Sequence, residues 1–378
     1  MSAAREHALL RESVRRAARE ILAPGAAQRD RDRAFPREQL KALAKMGLFG
    51  VSVPEAWDGA GMDATSLAIV CEEISGAEGA TGTILSVNNL VAGILLGYAD
   101  DAQKARWLKP LARGELLGGF ALTEPHAGSD ASAIRTRAEQ VGDEWVLNGT
   151  KQFITSGKTA DIVVVFAVSE KGAGKRGISA FVVPTTNPGW KVARLEEKLG
   201  QHASDTAQIV LEDCRIPADH LLGAPGQGYR IALANLESGR INIAAQAVGM
   251  AQAAFDAALA YSRERESFGK PLIEHQAVNF RLADMAVGIE AARRLYLHAA
   301  TLRDAGTPCL KEASMAKLFA SETAETICSD AIQIHGGYGY LRDFPVERIW
   351  RDVRVCKIYE GASDIQRLLI GRVLAEGG

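Results

Sequence analysis

The apolar positions change period twice along the chain. Up to about residue 115 they recur at spacings of three and four in short segments such as Pro36 to Met46 and Ser66 to Ile74, separated by Gly and Pro, and predict helices. Gly50-Val51-Ser52-Val53-Pro54 interrupts that pattern, and Glu55 to Asp63, with its Asp58-Gly59 pair and no apolar period, reads as a loop. From about 117 to 222 the runs are short and β-like: Glu144 to Leu147, followed by Asn148-Gly149 as a hairpin-turn signal, then Asp161 to Val168, Ile178 to Val183 and Ala207 to Leu211. No helical pattern separates them, so an antiparallel barrel or sandwich is expected in preference to βαβ units. Beyond about 227 long helical patterns return in Ile241 to Arg263, Lys311 to Ile334 and Ser363 to Leu374, and in the seam Val278, Leu282, Met285, Ile289, Ala292. The expected fold class is α+β, mainly α: an N-terminal helical domain (1–116), a central antiparallel β domain (117–226) and a C-terminal four-helix bundle (227–378).

Composition narrows the function classes. A chain of 378 residues, 47% hydrophobic and 24% charged, has ordinary globular character. Lys plus Arg (44) nearly balance Asp plus Glu (46), which leaves no global field for nucleic acid or an anionic membrane, and neither is an expected partner. The 5 cysteines are scattered without a CxxC pair, and the 7 histidines form no HExxH or Glu-x-x-His pair, so neither a disulfide framework nor a metal site is expected. The first turns mix Glu6, Glu12 and Glu20 with arginines, unlike a secretory or transit segment, and no uninterrupted apolar run approaches the roughly 20 residues that span a bilayer. The expected location is the cytosol, or an organelle matrix for a mature form.

Five stretches carry candidate chemistry. In Ile358-Tyr359-Glu360-Gly361-Ala362-Ser363-Asp364-Ile365-Gln366 a lone carboxylate sits between an aromatic residue and a glycine, just before a helix-start signal. Glu360 is the candidate base, Gly361 permits close approach to a ligand, and Ser363 or Asp364 is placed to cap the helix; a plain capping turn is the competing reading. Ala121 to Asp130 offers backbone N–H groups and the Thr123 and Ser129 hydroxyls to a polar ligand, or is a domain-boundary turn. Phe153 and Thr155 lie two apart on one face of a strand, suited to wall a planar ring, although a strand aromatic is more often core. Arg263 to Lys270 ends a helix with clustered cations fit for phosphate, or for an ordinary helix dipole. Gln333 to Tyr340 is glycine-rich but follows a helix, so it is no dinucleotide fingerprint and reads equally as a helix C-cap.

Together these stretches resemble the acyl-CoA dehydrogenase family over essentially the whole chain, most specifically at Ala121 to Ala133 and at Gln333 through Asp352. The resemblance implies FAD as cofactor and α,β-dehydrogenation of an acyl-CoA, with flavin N5 accepting the hydride, in a homotetramer that passes electrons to an electron-transfer flavoprotein. By position, Phe120, Leu122, Thr123, Ser129, Phe153 and Thr155 would line the flavin, with Asp364 near it; Arg265, Phe268 and Gln276 would hold its ADP part; and Gln333 and Gly337 would reach the FAD of a neighbouring subunit. Glu237, Arg240, Ser129 and Gly361 would contact the acyl-CoA, and Glu360 aligns with the family's base. Some relatives carry that base just before the residue matching Arg240, but here the position is Gly239. The chain departs from the family pattern at His126, at Phe153 in place of Trp and at Ala362 in place of Thr. Leu85-Ser86-Val87-Asn88-Asn89 and Gly239-Arg240 resemble short-chain members and Glu-Gly-Ala-Ser resembles short/branched-chain ones, so short or short-branched acyl groups are expected, in fatty-acid β-oxidation or branched-chain amino-acid catabolism. The alternatives are an acyl-CoA oxidase-type flavoenzyme and a non-catalytic CoA-binding scaffold.

Overall fold

The computed structural model describes residues 3–376. Helices α1 (Ala3–Ala17), α2 (Ala26–Asp32), α3 (Arg37–Ala44), α4 (Ala64–Ala77) and α5 (Gly79–Tyr98) come first, followed by the short α6 (Asp101–Gln103) and α7 (Lys109–Ala112). Asp63 starts α4 by accepting the Ser66 N–H. α5 is apolar all round, long and hydrophobic enough by composition to cross a membrane, but 83% of that stretch is buried in the protein interior, which is what such a helix needs inside a globular fold. Its Asn88 side chain donates to Phe49 O (3.1 Å) and accepts from Gly118 N (2.9 Å), tying the helix to the first strand.

The sheet runs through β1 (Gly118–Ala121), β2 (Arg137–Val141), β3 (Glu144–Thr155), β4 (Ile162–Val168), β5 (Ile178–Pro184), β6 (Trp190–Leu195), β7 (Thr206–Pro217) and β8 (Leu221–Leu222), in the order β6-β7-β3-β2-β4-β5-β8, with β1 beside β4. Most neighbours are antiparallel, as expected, but β1 and β2 both meet β4 in parallel, so the sheet is mixed. β4 is buried on both faces: Val163, Val165 and Ala167 join a core with Trp145, Leu147 and Ile209, whereas Ile162, Val164 and Phe166 pack against α5 and the helices after it. That double burial is why Ile162 to Val168 reads as one unbroken apolar run.

The turn expected at Asn148-Gly149 is not a turn. β3 runs straight through it, and the β2–β3 hairpin closes at Gly142-Asp143, where Gly142 has φ 61°. Asn148-Gly149 instead makes a bulge against β7, with the Asn148 carboxamide accepting from Asp213 N (2.8 Å). A Cβ on Gly149 would meet Thr136 Oγ1 at 2.5 Å, so the glycine serves a close approach.

The C-terminal part contains α8 (Gly228–Glu264), a hairpin of β9 (Glu266–Ser267) and β10 (Lys270–Pro271), α9 (Gln276–Asp304), α10 (Leu310–His335), α11 (Pro345–Val353) and α12 (Ser363–Ala375). The expected four long helices are α8, α9, α10 and α12; the first three pack on one another, α12 lies on α10, and α4 covers α8 and α9 from the N-terminal side. α4 and α8 approach closely because Gly76 faces Gly249, where a Cβ would come within 2.0 Å of Glu72 O.

Candidate active site

The chain leaves the single turn Arg354–Lys357 after α11 and enters an irregular bend that presents Glu360 in the left-handed region (φ 53°), followed by Gly361 (φ 89°). Such a conformation costs a non-glycine residue on the order of 1 kcal/mol and has to be held. Gln366, on the first turn of α12, holds it by donating to Gly361 O (2.8 Å) and Glu360 O (3.3 Å). The expected capping by Ser363 or Asp364 does not occur: Ala362 is the N-cap residue, without a side-chain bond, the Ser363 hydroxyl is buried inside the helix start, and Asp364 points to solvent. The turn is fixed by Gln366 from the far side of its own carbonyls.

Glu360 Oε2 is fully buried with no hydrogen-bond partner. Burial pushes the carboxyl up to about 7, against the downward pull of Arg240 and Lys317. Space for the carboxyl comes from α8: a Cβ at Gly239 would lie 2.7 Å from Glu360 Oε2. Glycine at the alternative base position therefore makes room for the Glu360 carboxyl and brings no second carboxyl of its own. Among the described residues the Glu360 N–H has no protein acceptor, which leaves it free to donate to a ligand.

The carboxyl opens on a cavity of about 230 Å³ between α5, α8, the sheet and the start of α12. Phe120, Leu122, Thr123, Ser129, Phe153 and Thr155 line it, together with Arg240, Gly361 and Glu360, so most of the expected flavin and substrate residues meet in one place. Thr83, Ser86, Val87 and Leu90 form the α5 wall, and Leu233, Leu236 and Ile243 the α8 wall. Phe153 is not core: a register shift between Lys151 and Ile154 turns it outward, with φ 59° and 63% exposure. A strand that takes up strain to present an aromatic to the cavity has no packing reason within this chain, and a planar ring system fits there.

Other expected residues lie elsewhere. Glu237 faces Arg303 (3.5 Å) and the Cys309 thiol (3.4 Å), a turn before Arg240 and off the cavity lining. Arg265, Phe268 and Gln276 are exposed around the β9–β10 hairpin, Phe268 at 98%, and Gln333 is exposed at the end of α10. Arg265 and Gly337 line a second depression with Tyr261, His335 and Tyr338, the Arg265 guanidinium lying 5.7 Å from the Tyr338 ring centre.

Three supports were missed by sequence reasoning. Glu124 in the first motif is buried and accepts from Arg135 N (2.6 Å), Thr136 N (2.9 Å) and the fully buried Lys151 (2.8 Å), fixing the loop that carries Thr123 and Ser129. The alternation of β3 contained the signal, since Lys151 falls on an inward position. Beneath Glu360, Tyr359 donates to Gln246 (2.5 Å), and Gln246 reaches Thr83 (2.6 Å), which bonds Gln201 (2.7 Å). Lys317 of α10 donates to Gly361 O (2.7 Å), and only its place in an otherwise small and apolar helix face sets it apart in sequence.

A buried carboxyl raised to about 7, sharing one cavity with an outward-turned aromatic, fits a flavin-dependent oxidoreductase. Three family models match in order, the N-terminal domain of acyl-CoA dehydrogenase over 4–115, its middle domain over 119–214 and its C-terminal domain over 226–375. The chain belongs to the acyl-CoA dehydrogenase family; its enzyme class is that of the family, and its cofactor is FAD. It is 48% identical to the mitochondrial short-chain specific acyl-CoA dehydrogenase of Mus musculus over 365 residues, covering 96% of this chain and 89% of that one. Butyryl-CoA dehydrogenase from Megasphaera elsdenii superposes with TM-score 0.94 at 38% identity, covering 97% and 98% of the two chains. A glutaryl-CoA dehydrogenase from Mycobacterium smegmatis, solved with FADH2, does so with TM-score 0.94 at 30% identity, covering 100% and 95%.

Proposed function

We propose that this protein converts a short or short-branched acyl-CoA to its trans-2-enoyl-CoA, with Glu360 as the base that takes the α-proton. Bound FAD supplies the acceptor for the β-hydride. The observation that carries the reading is the Glu360 carboxyl, unpartnered at the cavity wall and raised to about 7 by burial. The free Glu360 N–H is suited to stabilise the thioester oxygen as enolate charge develops. Phe120, Leu122, Thr123, Ser129, Phe153 and Thr155 would hold the ring, and Arg240, Ser129 and Gly361 the thioester ligand, all on one cavity. An apolar acyl group is supported by the side chains of Val87, Leu90 and Ile243 in its wall, and a short one by the short-chain specificity of the named relative.

Arg265, Phe268 and Gln276 are assigned to the ADP part of the cofactor, and Gln333 and Gly337 to the FAD of a neighbouring subunit. Arg265 and Gly337 share one depression outside the Glu360 cavity, which supports their serving a single flavin, that of a neighbouring copy in a homotetramer. The reduced enzyme would pass its electrons to an electron-transfer flavoprotein. Anaerobic mixing of the purified flavoprotein with acyl-CoA esters of rising length and branching tests the reaction, the acyl preference and the base. Bleaching should be fastest with butyryl-CoA or a short-branched ester and absent in Glu360→Gln, which still binds FAD. Fastest bleaching with long chains rejects the substrate assignment, bleaching by Glu360→Gln rejects the base, and rapid peroxide formation in air replaces the flavoprotein acceptor by O₂.

A further inference from the structure

Lys317 is not explained by proton removal itself. It lies on α10 with no exposed surface, and among the described residues no carboxylate pairs with it. An ammonium so placed costs several kcal/mol unless its surroundings use the charge. Its Nζ donates to Gly361 O at 2.7 Å, the carbonyl next to the base, which also accepts from Gln366. One carbonyl oxygen thus receives two buried donors, from different helices, where the backbone is left-handed at two successive residues.

Given the reading of Glu360 as base, we propose that Lys317 is a positioning residue of the dehydrogenation: it clamps the Glu360–Gly361 turn and sets a buried positive charge behind the carboxylate.

The surrounding charges favour this role. Glu360 is influenced by Arg240 from α8 and by Lys317 from α10, while the α5 wall of Thr83, Ser86, Val87 and Leu90 brings no charged side chain. Facing Lys317 are the Cys356 thiol, Glu360, Arg240 and Glu322, and Glu322 is taken up by Arg367 (2.7 Å). Tyr359 is committed to Gln246, Glu237 to Arg303, and Asp364 lies in solvent. Burial lowers the Lys317 ammonium to about 8 and raises Glu360 to about 7, so both groups are charged between those values. Removing the cation lets burial raise the carboxyl further. Because a base works only when ionised, activity must then fall at higher pH than before as the solution is acidified.

The test compares Lys317→Met and Lys317→Gln with the parent flavoprotein. Anaerobic flavin bleaching by butyryl-CoA is followed across neutral pH, and the carboxyl infrared band that vanishes in Glu360→Gln is titrated without substrate. We expect full FAD content, a midpoint of both titrations raised by about one pH unit, and bleaching about tenfold slower near neutrality. An unmoved midpoint, or slowing by the same factor at every pH, overturns the proposal. So does failure of both variants to yield soluble flavoprotein, because Lys317 would then serve the fold alone. Bleaching by Glu360→Gln would instead reject the base reading and leaves the fate of Lys317 to the shift of the bleaching midpoint.

Discussion

A carboxyl oxygen enclosed without a partner, as Glu360 Oε2 is, weakens the folded state once it ionises. The sign follows from the raised value: between its ordinary pKa and about 7 the native protein holds a proton that the unfolded chain has lost, so stability declines as pH rises through that window. Glu360→Gln removes the titration. The variant should therefore melt higher than the parent above neutrality, by the equivalent of about 1–2 kcal/mol after allowance for partial exposure, and by nearly nothing at acidic pH. Calorimetry of both flavoproteins at two pH values decides it; an equal difference at both would mean that Glu360 is not held at a raised pKa. Gly239 complements Glu360 by giving up the side chain that would fill the place of its carboxyl.

Among the elements, β3 bears most on the site. Its inner face carries Lys151 to Glu124, and its bulge turns Phe153 to the cavity two residues later. Burial lowers the Lys151 ammonium to about 8 while the ammonium keeps Glu124 below the usual carboxylate range. Lys151→Met leaves Glu124 buried and uncompensated, so we expect a loss of about 3 kcal/mol in chemical denaturation and easier release of FAD on dilution; a variant as stable and as yellow as the parent would show the pair to be dispensable. β3 also marks the limit of what was legible in the sequence. The long helices, the β4, β5 and β7 runs and the bend that carries Glu360 were readable, because period and motif are local properties. Asn148-Gly149 carried a hairpin signal yet forms a bulge, because β7 supplies a partner on either side of it. Strand alternation alone would send Phe153 the way of Lys151, but the register shift between Lys151 and Ile154 reverses its direction. Lys317 had no motif at all, and Gln366 stood in the Glu360 stretch without a role, since what each does is defined by the backbone carbonyl it reaches across space.

At the scale of the whole molecule, the Glu360 cavity and the Arg265–Gly337 depression are separate features of one chain. Phe268 at 98% exposure and Tyr340 at 86% lie in the two segments that supply Arg265 and Gly337 to that second feature. If a neighbouring copy completes the flavin site, flavin retention depends on assembly. Light scattering on Phe268→Asp should show smaller particles that lose FAD together, whereas small particles that keep it would detach the cofactor from oligomerisation.

The double burial of β4 has a further consequence, for cooperativity. Its residues are counted alternately into two cores, one within the sheet and one under α5, so neither core can loosen without stripping a face from the same strand. The sheet and its helical cover thus have no seam along which to part, although separate family models divide them. The N-terminal and middle regions should therefore melt in one calorimetric transition, and two resolved transitions would show that the shared strand does not couple them.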